Sequence, residues 1–155
     1  MQDSPWTPLL FVLFFVGMWL FVTFVIGYTS GWASLARIYR AVRPFEGARV
    51  RVRGAQMGRT MMSGTFRNVL TVGVNAEGIQ LSVLVLFRIS SPDLFIPWSD
   101  IAVSRGKWWF MDYVELRFNR APDIPLRIFG AARDTIPAAA GVAWPRETPR
   151  DVAQR

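Results

Sequence analysis

The sequence predicts one N-terminal transmembrane helix, then a mostly antiparallel β domain, then a short C-terminal helix. Three observations carry that prediction. Residues 9–26 read LLFVLFFVGMWLFVTFVI without one charged group. Near Ala48 the spacing of the apolar residues changes from helical to alternating. From there to Phe129, turn signals recur roughly every 8–12 residues, the rhythm of a β barrel or sandwich.

The apolar run, taken as a span over 9–28 after a short tail of residues 1–8, covers about 30 Å at ~1.5 Å per residue, the thickness of a hydrocarbon core. Fourteen of the eighteen residues in 9–26 are Leu, Ile, Val or Phe. At roughly −0.3 to −0.6 kcal/mol each they favour insertion by about 4–8 kcal/mol. A cleaved signal peptide fits less well. Before the run stand Asp3 and no basic residue, and the run exceeds the usual apolar core of such peptides.

Charge sets the expected orientation. Seven arginines (Arg37, Arg40, Arg43, Arg49, Arg51, Arg53 and Arg59) crowd residues 37–59 against Glu46 alone. Basic residues just past a span stay on the cytoplasmic side. The expectation is a single-pass protein of the cell's inner membrane, N-terminus outside and C-terminal domain in the cytoplasm. The high pI is thus a membrane-surface signature, and no nucleic-acid partner is expected.

Composition excludes much chemistry. The chain has no cysteine and no histidine, which removes disulfides, Cys/His zinc sites and every nucleophile paired with histidine. Lys107 is the single lysine, and no phosphate-binding glycine loop occurs. Asp100, Asp112 and Glu115 lie close in sequence, but each suits a strand end or a polar face. No catalytic residue, cofactor or metal ligand is expected. The chain reads as a non-enzyme.

Residues 29–44 form a basic juxtamembrane segment. In 32–43, Trp32, Leu35, Ala36, Tyr39 and Val42 share one helical face and Arg37, Arg40 and Arg43 fall largely off it. Ser30 is placed to cap this helix and Pro44 to stop it. Such a helix suits the headgroup layer, with Trp32 and Tyr39 at the interface.

The β domain is expected over 45–140. Arg49–Arg53 alternates strictly, its polar face all arginine. Phe66–Val74 and Ile79–Ile89 follow, joined by a hairpin at 75–78 in which Gly78 supplies a positive φ. Leu94–Pro97 is a short strand that Pro97 confines to an edge or end. Ile101–Arg105, a stretch within Trp108–Phe118, and Leu126–Phe129 complete about seven strands. Alternation predicts a core of Val50, Val52, Leu70, Val72, Leu81, Val83, Val85, Ile96, Ile101, Val114, Leu116 and Ile128. The alanine-rich stretch to Ala140 is the short helix, broken or entered at Pro137. Residues 141–155, rich in proline and charge, are expected to be disordered.

The hairpin TVGVNAEGI (71–79), the segment IPWSDI (96–101) and the later strands and helix resemble the PH-like (pleckstrin-homology-like) domains of bacterial membrane proteins. The run from Gly31 to Arg40, Gly-Trp-x-x-Leu-Ala-x-x-Tyr-Arg, is similar to uncharacterised single-anchor members of that group. The resemblance covers about 90 residues. It implies a partly open barrel of about seven strands capped by a helix, and it names no ligand. Phosphoinositide-binding PH domains use a basic loop whose counterpart, Gly54–Gly64, offers only Arg59. Trp98 is expected to pack at one barrel end, with Ser99 or Asp100 satisfying turn backbone groups.

Two sets of residues are candidates for contact. Arg37, Arg40, Arg43, Arg49, Arg51 and Arg53, with Trp32 and Tyr39, suit an anionic lipid surface. Lys107, Trp108, Trp109 and Phe110 suit either a bilayer interface or a protein partner, since a strand cannot bury all of those rings on one side; the alternative is that a long strand or loop folds both tryptophans over a barrel end. The expected function is a membrane-anchored, non-enzymatic binding or scaffolding module. The alternative is an accessory subunit or assembly factor of a larger membrane complex.

Overall fold

The computed structural model of the chain describes residues 6–29, 31–58, 64–88 and 91–149. Ser30 and Arg59 lie outside these, as does the end of the tail. Helix α1 (Thr7–Thr29) is long and apolar enough to cross a membrane. Its large apolar side chains from Leu9 to Val25 are exposed, as they are in a membrane anchor or a signal sequence.

Helix α2 (Trp32–Tyr39) follows after a sharp turn at Gly31, whose φ is 78°. A side chain there would also strike Ile124 of the domain at 2.9 Å. The positive φ is what calls for glycine here, since the Ile124 side chain could give way. Helix α2 ends at Tyr39, well short of Pro44, because the chain turns extended and Arg40 bridges to Leu94.

Ten strands follow: β1 (Ala48–Val52), β2 (Gly54–Met57), β3 (Thr65–Phe66), β4 (Leu70–Val74), β5 (Gly78–Val83), β6 (Leu94–Pro97), β7 (Ile101–Trp108), β8 (Met111–Phe118), β9 (Ala121–Phe129) and β10 (Glu147–Pro149). They form a four-stranded sheet, order β1-β4-β5-β6, and a six-stranded sheet, order β10-β7-β8-β9-β2-β3. Every pairing is antiparallel except β10 with β7. One residue, Arg53, separates β1 from β2, and Arg67–Val69 separate β3 from β4. Each pair is a bent strand that passes from one sheet to the other, as sheet corners require. At the second bend Asn68 has φ 60°, a conformation asparagine tolerates better than most residues. Among the described residues β6 and β7 do not pair, so the sheets close no barrel.

Between the sheets lies one core that includes Val52, Leu70, Val72, Leu81, Val83, Ile96, Ile101, Val114, Leu116 and Ile128, all as the alternation predicts; Val50 is half-buried. Val85 is the exception, 74% exposed. The expected strand to Ile89 stops at Val83, opposite Leu70, where β4 begins and the ladder has no further partner. A 3-10 turn over Val85–Phe87 replaces it.

Other differences have similar local causes. Gly78 lacks a positive φ; a Cβ there would collide with the Ile96 carbonyl, so close packing against β6 demands glycine. The turn itself is held by Asn75, whose Oδ1 accepts from the backbone N–H groups of Glu77 and Gly78. Helix α3 (Ala132–Ala140) runs through Pro137. Burial of Ile136 and Ala132 in the core holds it in spite of the lost hydrogen bond. Residues 141–149 are not a disordered tail: Trp144 packs edge-on against Trp98 at 5.8 Å, and β10 adds a strand beside β7.

Candidate functional site

Helix α2 lies against the β domain by its apolar stripe. Trp32 is 0% exposed, Leu35 and Tyr39 are equally enclosed, and these residues belong to the domain's core. The Trp32 Nε1–H donates to the Pro92 carbonyl at 2.9 Å, and the ring tilts on Phe66 at 5.8 Å. The Tyr39 hydroxyl accepts from the Arg120 backbone at 3.3 Å. Desolvation by burial raises the Tyr39 pKa. The expectation that Trp32 and Tyr39 sit among lipid headgroups is therefore corrected. A short amphipathic helix has one apolar stripe, and this one is spent on the core.

The arginines divide into two populations. Arg88, Arg105, Arg117, Arg120, Arg127 and Arg133 each sit at ion-pair distance from a carboxylate. Arg37, Arg40, Arg43, Arg49, Arg51, Arg53 and Arg67 are exposed and make no ion pair among the described residues. Arg146, just before β10, is likewise exposed and unpaired; apart from it the unpaired set extends from α2 across β1 to the second bend. Arg51, Arg53, Arg67 and Asn68 line one open cleft of about 570 Å³. Arg67 carried no sequence signal beyond its charge, because the bend at Asn68 that turns it toward Arg53 is a tertiary feature.

Arg67 also lines a second cleft, of about 500 Å³, with Thr23 of α1 and with Thr65, Phe66, Val69, Val83, Phe87 and Ser91. This groove is the seam between the apolar helix and the domain. Trp19 of α1 tilts on Phe87 at 5.7 Å, and the Thr23 hydroxyl donates to the Trp19 carbonyl at 2.8 Å. Phe87 comes from the turn that replaces the end of β5, where Leu84 and Val85 are exposed as well. The four consecutive apolar residues at 84–87 were the available signal, and strand alternation misread them.

The aromatic run crosses a hairpin tip. Lys107 and Trp108 end β7, Trp109 and Phe110 form the turn, and Met111 opens β8. Trp109 is 80% and Phe110 89% exposed, and the two rings meet edge-on at 6.1 Å. The rings do not fold over a barrel end. Trp109 has φ 54°, a conformation costly for a bulky residue. Phe118, at the other end of β8, touches Tyr39 of α2. Eight residues at ~3.3 Å each put the tip about 25 Å along the strand from that contact.

IPWSDI has a structural role. Trp98 donates through Nε1 to the Asn75 carbonyl at 2.9 Å and ties the 3-10 turn to the hairpin. Asn119 reaches the Ser99 and Asp100 carbonyls through its side-chain and backbone nitrogens. The side chains of Ser99 and Asp100 are not what satisfies that turn.

Among the described residues no cluster of three potential metal ligands occurs. Asp100, Asp112 and Glu115 are each within ion-pair distance of an arginine and do not converge. No protein family, curated protein or solved structure matches the chain.

Proposed function

We propose that this protein is a single-pass, membrane-anchored, non-enzymatic binding module. Its PH-like domain sits on the cytoplasmic face and docks on anionic lipid. The observation that carries the reading is the segregation of the arginines. Among the described arginines, all seven from Arg37 to Arg67 lack a carboxylate partner, whereas from Arg88 onward only Arg146 lacks one. Unpaired arginines within about 8 Å of an anionic surface contribute ~1 kcal/mol each, and salt screens them. The PH-like assignment is supported by two bent strands shared between two sheets, a gap between β6 and β7, and a helix packed after the last long strand. The anchor reading is supported by the length and the exposed apolar surface of α1.

A fragment beginning at Gly31 keeps α2, which the core requires, and lacks the anchor. It should co-sediment with phosphatidylglycerol vesicles far better than with phosphatidylcholine vesicles. Binding should fall as salt rises, and fall again in R37A/R40A/R43A. Equal binding to both vesicles, or to neither, removes the lipid-docking role.

The exposed hairpin tip favours a second reading, an accessory subunit of a larger membrane complex. Exposed Trp and Phe at a strained turn suit an anchor in a partner's pocket. Purification in mild detergent would then recover partners that W109A/F110A loses. A stable monomer from native membranes would leave the module reading alone.

A further inference from the structure

The two clefts that share Arg67 form one site with two chemistries. The apolar part is walled by Phe66, Val69, Val83 and Phe87 of the domain and by Thr23 of α1. The polar part is walled by Arg51, Arg53 and Arg67, none of which has a carboxylate partner among the described residues. We infer that one anionic glycerophospholipid is held at the seam between α1 and the domain, an acyl chain in the apolar groove and the phosphate at Arg67, Arg53 and Arg51.

Three arguments select this occupant. The first is charge: guanidinium groups bind phosphate oxygens in a planar fork, and three such groups without internal partners lack their natural counter-charge. The second is position. One wall of the groove belongs to a helix of membrane-crossing length and apolarity, so the groove opens where acyl chains are the solvent. The third is the turn at Val85–Phe87. Its Phe87 ring meets Trp19, ten residues before the end of α1, about 15 Å along the helix axis. An apolar turn beside the helix at that position enters one leaflet and brings the domain's groove to the acyl region. A soluble phosphate would satisfy the arginines and leave the groove unused.

The inference rests on the anchored reading of α1 and deepens the lipid role from a diffuse surface attraction to a site of defined stoichiometry. The test is native mass spectrometry of the full chain in mild detergent, titrated with phosphatidylglycerol or with phosphatidylcholine. One phosphatidylglycerol per chain should be retained at least tenfold more tightly than phosphatidylcholine. Losing two charge contacts in R53Q/R67Q should weaken it about thirtyfold, equivalent to ~2 kcal/mol. V69F, which fills the groove without changing charge, should weaken it too. If V69F does not fold, T23F fills the same groove from the helix side. R146Q, at an exposed arginine outside both clefts, should leave this stoichiometric binding unchanged.

Uptake of many lipids without a plateau at one overturns the inference, as does equal weakening by R146Q and R53Q/R67Q. Displacement of the lipid by glycerol 3-phosphate at comparable concentration would make the site a phosphate site and also overturn it. A mature chain lacking α1 fails the anchored reading itself. An intact anchored chain with non-selective lipid binding fails only this inference.

Discussion

Glu115 is 0% exposed on the outer face of β8, with Arg117 and Arg127 each at 2.8 Å from one of its oxygens. Arg127 is itself buried, so its guanidinium has little water to fall back on. Removing one member of a buried pair leaves an uncompensated charge, and Glu115→Ala should cost the domain about 3–5 kcal/mol in urea melts. Trp109 presents the opposite case. A tryptophan held at φ 54° carries roughly 1–2 kcal/mol of strain that glycine does not. Trp109→Gly should raise the melting temperature of the β domain while removing the ring that a partner would grip. A fall in stability would mean that the exposed ring packs usefully after all. Strand parity showed in the sequence that these aromatics include outward ones. It did not show that a two-residue turn puts both Trp109 and Phe110 at the tip, because hairpin registry depends on the partner strand.

At the scale of elements, the tail is the part that composition most misjudged. Proline and charge argued against order over 141–149, yet two anchors hold it. Trp144 packs on Trp98, and Glu147 takes a bidentate pair from Arg105, Nε to Oε2 at 2.6 Å and Nη2 to Oε1 at 2.9 Å. The Trp144 Nε1–H donates to the same carboxylate at 3.1 Å. Neither partner is near the other in sequence, which is why the docking was not legible there. Hydrogen bonding from Arg105 lowers the Glu147 pKa, and the same bond raises that of Arg105. A carboxylate with a depressed folded pKa stabilises the folded form fully above its ordinary value of about 4.3. That contribution is lost as pH falls through the depressed value. Amide exchange over 141–149 should therefore stay slow near neutral pH and speed up in acid before the central strands do. Glu147→Gln should expose the tail at every pH. Both side chains are partly exposed, so the effect should remain local, about 1 kcal/mol or less. Acid exchange unchanged by Glu147→Gln would show that Trp144 alone holds the tail.

Across the whole molecule, the apolar helix and the alternating strands could be read from periodicity, and most of the residues that alternation assigned to the core lie in it, although the core also takes in Met57, Phe66, Ile79, Leu94, Phe118 and Leu126. The placement of α2 could not. Its stripe of Trp32, Leu35 and Tyr39 fits a bilayer interface and a protein core equally well, and only the surrounding β domain decides between them. That outcome changes what the arginines mean. With α2 packed into the domain core by Trp32, Leu35 and Tyr39, Arg37 and Arg40 are held beside the β domain that carries Arg49, Arg51, Arg53 and Arg67. On the proposed topology, charge asymmetry keeps the seven unpaired arginines from Arg37 to Arg67 on the cytoplasmic side, because carrying them across a bilayer is costly. Protease added to intact spheroplasts should leave the β domain whole, and permeabilised spheroplasts should lose any protection. Reversing the signal in R37E/R40E/R43E should expose a fraction of the domain to external protease without altering α1. Digestion of the wild-type domain from outside would overturn the orientation, and with it the assignment of the arginine clefts to the cytoplasmic leaflet.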